Sequence, residues 1–547
     1  MRIMRVTLLA LCAASVMLSC KTVVNTIPVP AGSTEAIIAT AKKAPLTEDE
    51  KRAWNHADLL TDSIPGMSTK QAYEFLNGKQ GKQVVVAVLD SGSDLAHEDL
   101  KDVAWVNPGE VPNNGKDDDN NGFVDDINGW NFLGSIYKEN AELYRVVKDP
   151  KIADEETSKR AKKDYDKKVA DATRNKDQYG QILQAVIFAN TNIVKKLNKK
   201  EYKKEDISSI DTSVDPQLER SVYIANEMFK IGFDNIQAAI DELTDLVQNA
   251  DDLLSGNALK KDYRSALGDD ENSMATKVYG DNKSGHMDKK EAHGTHVSGI
   301  VAAARNNGKG INGVASNVKI MAIRAVPDGD EYDKDIALGI RYAVDNGAKV
   351  INTSFGKGYS PKVQWVYDAI KYAAEKDVLI VNAAGNDSKD IDVKVSYPND
   401  APDMVNEISD NFITIGAISS NYNEKLLADF TNYGKMNVDI YAPGVEIYST
   451  TPEDEYGYKG GTSMAAPAVA GVAALIRSYY PELTASQVKR IIMNSGTKLD
   501  LQVTKPGTLT PENPEGEKVP FADLSVTGRI VNAHNALKMA DAIVNRK

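Results

Sequence analysis

The decapeptide Glu291-Ala-His-Gly-Thr-His-Val-Ser-Gly-Ile300 carries two histidines, His293 and His296, three positions apart. On a helix that spacing puts them on one face, a turn apart. Such a pair suits either a shared metal ion or one catalytic base beside a packed neighbour. A zinc peptidase is disfavoured, because the pair lacks the Glu of His-Glu-x-x-His and no other His or Cys stands at zinc-like spacing. Three further segments offer partners for a base. Val86-Ala-Val-Leu-Asp-Ser-Gly92 ends an apolar run on Asp90, a carboxylate that a strand end can aim into a crevice, or that simply caps a turn. In Gly460-Gly-Thr-Ser-Met-Ala-Ala-Pro-Ala-Val-Ala-Gly471, Ser463 stands where a helix would start, as a nucleophile or as an N-cap, a duty Thr462 can fill equally well. Val381-Asn-Ala-Ala-Gly-Asn386 presents the amide of Asn386, an oxyanion donor or a turn residue.

Taken together, in the chain order Asp, His, Ser, these segments resemble the subtilisin-like (subtilase, peptidase S8) serine proteases. Asp-Ser-Gly, His-Gly-Thr-His-Val-Ser-Gly and Gly-Thr-Ser-Met-Ala-Ala-Pro follow that family's three active-site motifs, and the resemblance covers about residues 82–133 and 270–497. It implies that Ser463 is the nucleophile, His293 the general base and Asp90 the group that orients it, with Asn386 and the Ser463 amide as the oxyanion hole. His296, a turn deeper, is then expected to be a packed core residue. The resemblance further implies that Ser354, Phe355 and Gly356, within Thr353-Ser-Phe-Gly356, pair with an extended peptide, and that Ala383, Ala384 and Gly385 floor the pocket for the residue before the scissile bond. Pro327-Asp-Gly-Asp-Glu-Tyr-Asp333 corresponds to the opposite wall, where its acids would favour basic side chains upstream of the cut. Substrates are expected to be protein or peptide segments, hydrolysed through an acyl-enzyme without a catalytic cofactor. The competing reading is a catalytically silent binding or scaffold protein of the same fold. It predicts a missing triad member or oxyanion donor, and all four are present.

Lys116-Asp-Asp-Asp-Asn-Asn-Gly-Phe-Val-Asp-Asp126 is a second, ion-related pattern. Asp117, Asp119, Asn121 and Gly122 fit the first half of an EF-hand-type loop, with Phe123 offering a carbonyl. The closing Glu is missing, since position twelve is Asn128, so Asp125 or Asp126 must close the shell of a structural calcium site.

These residues need elements to carry them. From Val84 onward, apolar runs of strand length (Val84–Leu89, Val318–Ile323, Val350–Ser354, Val378–Asn382, Phe412–Ile415) alternate with helical periods at Asp335–Asn346 and Lys362–Glu375. An α/β subtilisin-like fold is expected, with a mostly parallel central sheet flanked by helices and sites at the carboxyl ends of strands. Residues 134–268 break the rhythm. They are rich in charged residues and carry helical spacing at Ala185–Phe188, Ile193–Leu197 and Ala225–Leu246, so an inserted helical subdomain is expected there. It lengthens the path from Asp90 to His293 and must therefore leave and return at neighbouring points.

The chain of 547 residues is too long for one ordinary core, and its net charge of -13 offers no basic surface for nucleic acid. Residues 1–19 have the charged start and short apolar run of a signal peptide, and Met17-Leu-Ser-Cys20 resembles a lipobox with an unusual first residue, which implies that Cys20 is a lipidation site. The expected product is exported to a bacterial cell envelope and held at a membrane by that anchor. Residues 20–50 would be a lipidated tether, residues 51–133 and 269–547 the two parts of the peptidase domain with its tail. Cys12 and Cys20 are the only cysteines, so the mature domain has no disulfide to rely on. No α/β module of the inhibitory pro-domain kind is apparent between Cys20 and Val84. The apolar run Val469–Ile476 is too short for a bilayer and reads as core.

Overall fold

In the strand β1 (Val84–Asp90), Val84, Val86 and Val88 pack into one hydrophobic core while Ala87 and Leu89 pack into a second. Successive side chains of a strand point to opposite faces, so a run without polar interruptions demands cover on both sides. The computed structural model describes residues 28–545 apart from 34 and 234, and it supplies that cover.

Among the described residues, two short α-helices, α1 (Glu48–Ala53) and α2 (Thr69–Leu76), precede β1, and β2 (Gly129–Asn131) follows it. Next come α3 (Glu142–Lys148), α4 (Glu155–Leu197), α5 (Lys204–Ser208), α6 (Pro216–Lys230) and α7 (Ile236–Leu254). The β-α alternation then resumes with α8 (His293–Ala302), β3 (Val318–Arg324), α9 (Asp333–Asp345), β4 (Val350–Thr353), α10 (Val363–Glu375), β5 (Leu379–Ala383), β6 (Phe412–Ile418) and β7 (Ile440–Pro443). A hairpin, β8 (Ile447–Thr451) and β9 (Glu455–Lys459), leads into α11 (Thr462–Tyr479) and α12 (Ala485–Ser495). The last elements are β10 (Thr497–Lys498), the pair β11 (Gln502–Thr504) and β12 (Lys518–Pro520), β13 (Arg529–Ile530) and α13 (Ala533–Val544).

Nine strands form one sheet in the order β10-β13-β7-β6-β5-β4-β1-β3-β2. Every pairing in it is parallel except β10 with β13. Residues of α8, α11, α12 and α13 share the core with Val86 and Val88; those of α9 and α10 share the other with Leu89. Strand order reverses beside β1, with β4 on one side and β3 on the other, and Asp90 ends the strand at that point. Crevices form at such reversals. Helix α11 is buried almost throughout by protein, and among the described residues no helix is long and apolar enough to cross a membrane.

The chain leaves the sheet at Asn131 and comes back to it at Asp281, where the two residues exchange backbone hydrogen bonds of 2.9 and 3.0 Å. Gly280 allows this closure, because a Cβ there would stand 1.9 Å from the Asn131 carbonyl oxygen. Between those points, α4, α6 and α7 pack together on a small core of their own that includes Val186, Ile193, Ala225 and Leu243. One continuous period was expected over Ala225–Leu246. Instead the chain breaks after Lys230, with Gly232 at a φ of +104° and Asn235 capping α7 through its side chain.

Part of the expected tether lies on the domain: Ile37 donates its N–H to the Lys498 carbonyl, and the Pro30 carbonyl accepts from Asn494 Nδ2. In the tail, β13 joins the sheet and α13 packs on α2. Residues 1–19 and Cys20 lie outside the described residues.

Candidate active site

Asp90, at the end of β1, is 1 % exposed, and its Oδ1 lies 2.7 Å from His293 Nδ1 while also accepting the Ser91 N–H at 2.7 Å. His293 opens α8, and the residue behind it explains how that helix comes so close. A Cβ on Gly294 would lie 2.2 Å from the Gly92 carbonyl oxygen, so only glycine lets the helix start press onto the turn after β1. Ser91 Oγ accepts the Gly294 N–H and Ser93 Oγ donates to the Gly294 carbonyl, which fixes the contact from both sides. Burial draws the His293 pKa down and the lone charge of Asp90 draws it up, with Lys459 opposing; the balance lies above the ordinary value of 6.5. Its side chain remains 37 % exposed, open to the cleft.

His296 has the other job. It is fully buried, its Nε2–H shared between the carbonyls of Ile447 and Gly457 on the β8–β9 hairpin, and burial holds its pKa at about 3. It stays neutral and structural.

Ser463 lies in the first turn of α11. Pro467, inside that helix, has no N–H to offer the Ser463 carbonyl four residues back. Ser354 Oγ makes up for the missing donor at 2.9 Å, and Ser463 Oγ donates in return to the Ser354 carbonyl at 3.0 Å. Ser463 is thereby tied to the segment expected to hold substrate.

Asn386, exposed after β5, has its amide oxygen held by the N–H and hydroxyl of Thr462, at 2.8 and 2.9 Å. This fixes the amide plane and leaves Nδ2 as the outward donor. Thr462 is thus neither bystander nor cap: its hydroxyl also accepts the Gly385 N–H. The position of a Cβ on Gly461 would be 3.3 Å from Asn386 Nδ2 and 3.6 Å from the Ser463 nitrogen. Glycine keeps the space beside both donors clear, where an oxyanion would sit.

Ala383, Ala384 and Gly385 continue β5, with Ala383 and Ala384 buried, and Asn432 Nδ2 holds the Ala384 carbonyl. Ser354 is buried, Phe355 half-buried and Gly356 exposed, directly after β4. The residues expected to catalyse and to bind therefore meet at the carboxyl ends of β1, β4 and β5. The acidic wall differs from expectation. Glu331 and Asp333 are buried, and Asp333 serves Lys357, Ser360 and the Lys362 N–H. Asp330 accepts the Glu142 N–H. Asp330 and Asp333 thus answer the chain's own groups, Glu331 is buried, and of the four acids Asp328 is the one left exposed.

One positioning residue escaped the sequence reading. Arg324, fully buried at the end of β3 and in register with Asp90, donates to Asn131 Oδ1, the carbonyls of Gly134 and Ile136, and the Glu291 carboxylate. It ties the start of the inserted segment to the residues just ahead of His293.

The acidic loop is also arranged differently from the EF-hand expectation. Asp117 is engaged by the N–H groups of Asn121 and Gly122, Asp125 by those of Asn114 and Gly115, and the Phe123 ring packs on Trp130 and Tyr342. The carboxylates that converge are Glu110, Asp119 and Asp126, with oxygens within 4.8 Å of one another. Oxygens bound to one calcium at about 2.3–2.6 Å span such distances. Nδ2 of Asn107 and Nδ2 of Asn121 each donate to both Asp119 and Asp126, so positive ends already converge where a cation would sit. Glu110 lay outside the motif and carried no signal of its own.

Comparison with known proteins gives a match to the subtilase family over residues 81–510. The chain is 43 % identical over 188 residues to the thermophilic serine proteinase of Bacillus sp. (strain AK1), covering 34 % of this chain and 42 % of that protein. It is 40 % identical over 209 residues to subtilisin DY of Bacillus licheniformis, covering 38 % and 71 % of the two chains. With thermitase of Thermoactinomyces vulgaris it shares 38 % identity over 208 residues, covering 38 % and 68 %. The matched stretch is thus less than half the length of the first of these relatives.

Proposed function

The chain belongs to the subtilase family, and from that premise we propose that it is an exported serine endopeptidase that cleaves extended protein or peptide segments. The observation that carries the reading is the 2.7 Å contact of His293 with a buried Asp90, beside a serine at a helix start and an amide donor locked by Thr462.

The chemistry follows from the atoms present. Asp90 fixes the proton of His293 on Nδ1 and leaves Nε2 as the base. Nε2 takes the Ser463 hydroxyl proton as Oγ attacks the peptide carbonyl. The carbonyl oxygen becomes an anion facing Asn386 Nδ2 and the Ser463 N–H. His293 then returns the proton to the leaving amine, and water repeats the sequence on the acyl-enzyme. Incubating the protein and Ser463→Ala with a diverse peptide library, with cleavage read by mass spectrometry, tests this. Cleavage by the first alone is expected; equal products from both would sink the proposal.

The proposal extends to the setting. The charged start, apolar run and Cys20 support export and acylation, which would place the enzyme at a bacterial envelope membrane. A Cys20→Ser protein is expected to leave the membrane fraction; retention there would argue against the anchor. We also propose a structural calcium ion held by Glu110, Asp119 and Asp126, three hard oxygen donors of which two are buried.

A further inference from the structure

The segment that follows the substrate strand is gripped, residue after residue, by the inserted helices. Lys357 Nζ, buried, meets Glu142 Oε2 of α3 at 2.7 Å, together with the Glu331 carbonyl at 2.6 Å and Asp333 Oδ1 at 2.8 Å. The Gly358 carbonyl accepts from Arg160 of α4 at 3.3 Å. Tyr359 donates its hydroxyl to Asp164 of α4 at 2.5 Å, and its ring packs with Leu143, Val146 and Ala161 beneath the Arg160 guanidinium. On the facing wall, Arg145 of α3 donates to the carbonyls of Asp330 and Glu331 and lies over the Tyr332 ring at 3.8 Å.

These contacts matter because of strand geometry. Backbone N–H and C=O groups of alternate residues face the same edge. Lys357 spends both of its own on Tyr397, so they face away from the cleft. The groups on the cleft edge are those of Ser354 and Gly356, because the extended course ends at the Lys357 bridge and the chain bends at Gly358. The Ser354 carbonyl touches the nucleophile, so the residue before the scissile bond lies there and the acyl side of the substrate runs toward Gly356. Gly356 is exposed, and among the described residues its N–H and C=O have no hydrogen-bond partner. Past it, at the bend, the Gly358 carbonyl is already held by Arg160.

Resting on the protease reading above, we infer that the helical insertion ends the cleft on the acyl side. The enzyme spans three residues, pairing its backbone at Ser354 and Gly356 with the first and third and leaving the second opposite Phe355, and makes no ladder with a fourth or fifth. The insertion is thus a specificity device built into the cleft wall. An exposed Arg160 forms its outer stop, and a buried Lys357–Glu142 pair is the joint that fixes it.

A nested series of peptides tests this. Each carries the same scissile bond and leaving side, with one to six residues on the acyl side, and kcat/KM is measured for each with Ser463→Ala as the blank. The expected series climbs up to the third residue and then stays level within about twofold. A further tenfold rise on adding the fourth or fifth would overturn the inference while leaving the protease reading intact. No cleavage at any length overturns the protease reading and this inference with it. In Arg160→Ala, a surface change, the five-residue peptide is expected to gain threefold or more over the three-residue one. A series as level as that of the unaltered protein would remove Arg160 from the stop.

Discussion

At the scale of single residues, the state of His293 sets the pH response. In the proposed mechanism its neutral form is the base, so kcat/KM is expected to rise as pH passes through its pKa, which is raised above the ordinary 6.5. Burial lowers that pKa and Asp90 more than offsets the effect. Asp90→Asn removes the raising influence and leaves the lowering one, so the acid limb of kcat/KM is expected to move to lower pH. At the same time kcat falls by about 10⁴, because the amide favours the wrong tautomer. Stability follows the same sign. A pKa raised by folding adds stability that is complete below the unfolded value and is lost as pH rises through the folded one. The advantage of the unaltered protein over Asp90→Asn should therefore shrink on the alkaline side. A pH profile of the variant with its acid limb unmoved would refute the coupling. Asp90, His293, Ser463 and Asn386 stood out in the sequence as candidates because each stands in a short run of small residues whose order recurs in a known family. Thr462 was read only as a possible cap, since no spacing rule says that its hydroxyl will orient an amide 76 residues away.

At the scale of elements, β3 and the start of α8 are joined through Arg324. Its guanidinium is wholly buried and meets Glu291, itself buried, and two carbonyls of the segment leading into the insertion. Removing one partner of such a pair strands a charge in the interior, at a cost of about 3–5 kcal/mol. Arg324→Met is expected to lower the urea midpoint accordingly. It should also reduce kcat more than it changes KM, because Glu291 leads directly to His293 and the substrate strand lies elsewhere. Undiminished stability would show that the pair bears no such weight. Strands β1, β3, β4, β5 and β6 were legible as mostly apolar runs, since burial on both faces leaves few polar positions, and those gather toward the carboxyl ends, as at Asp90 and Arg324. Strand β2 was not: it has three residues, and it begins at Gly129, whose Cβ would stand 1.8 Å from the Ala322 carbonyl oxygen. The break between α6 and α7 was missed for a related reason, as the apolar spacing runs on across a glycine that only the backbone conformation marks as a stop.

At the scale of the whole molecule, the insertion was legible as helical from its charge and periodicity, but its seat on the cleft was not. That seat depends on contacts such as Lys357 with Glu142, 215 positions apart, and each partner alone reads as an ordinary surface charge. The same limit applied to the acidic loop, where Glu110 comes from outside the motif to meet Asp119 and Asp126. Burial pushes the carboxyl of Asp126 up in pKa, against hydrogen bonds from Tyr342, Asn107 and Asn121, so a nearby cation would relieve a strained charge. Both cysteines fall in the first 20 residues, so no disulfide holds the domain and the proposed ion would add to its packing. An ion that binds only the folded state adds about 2.7 kcal/mol at a hundred times its Kd. Protein stripped with a chelator is therefore expected to melt at lower temperature than protein in millimolar calcium, with the difference restored by adding calcium back. In Asp126→Asn, which keeps the shape of the side chain but removes a buried oxygen charge, that difference should largely vanish. If the unaltered protein melts at the same temperature with and without calcium, the three carboxylates hold no such ion, and the amides of Asn107 and Asn121 alone balance them.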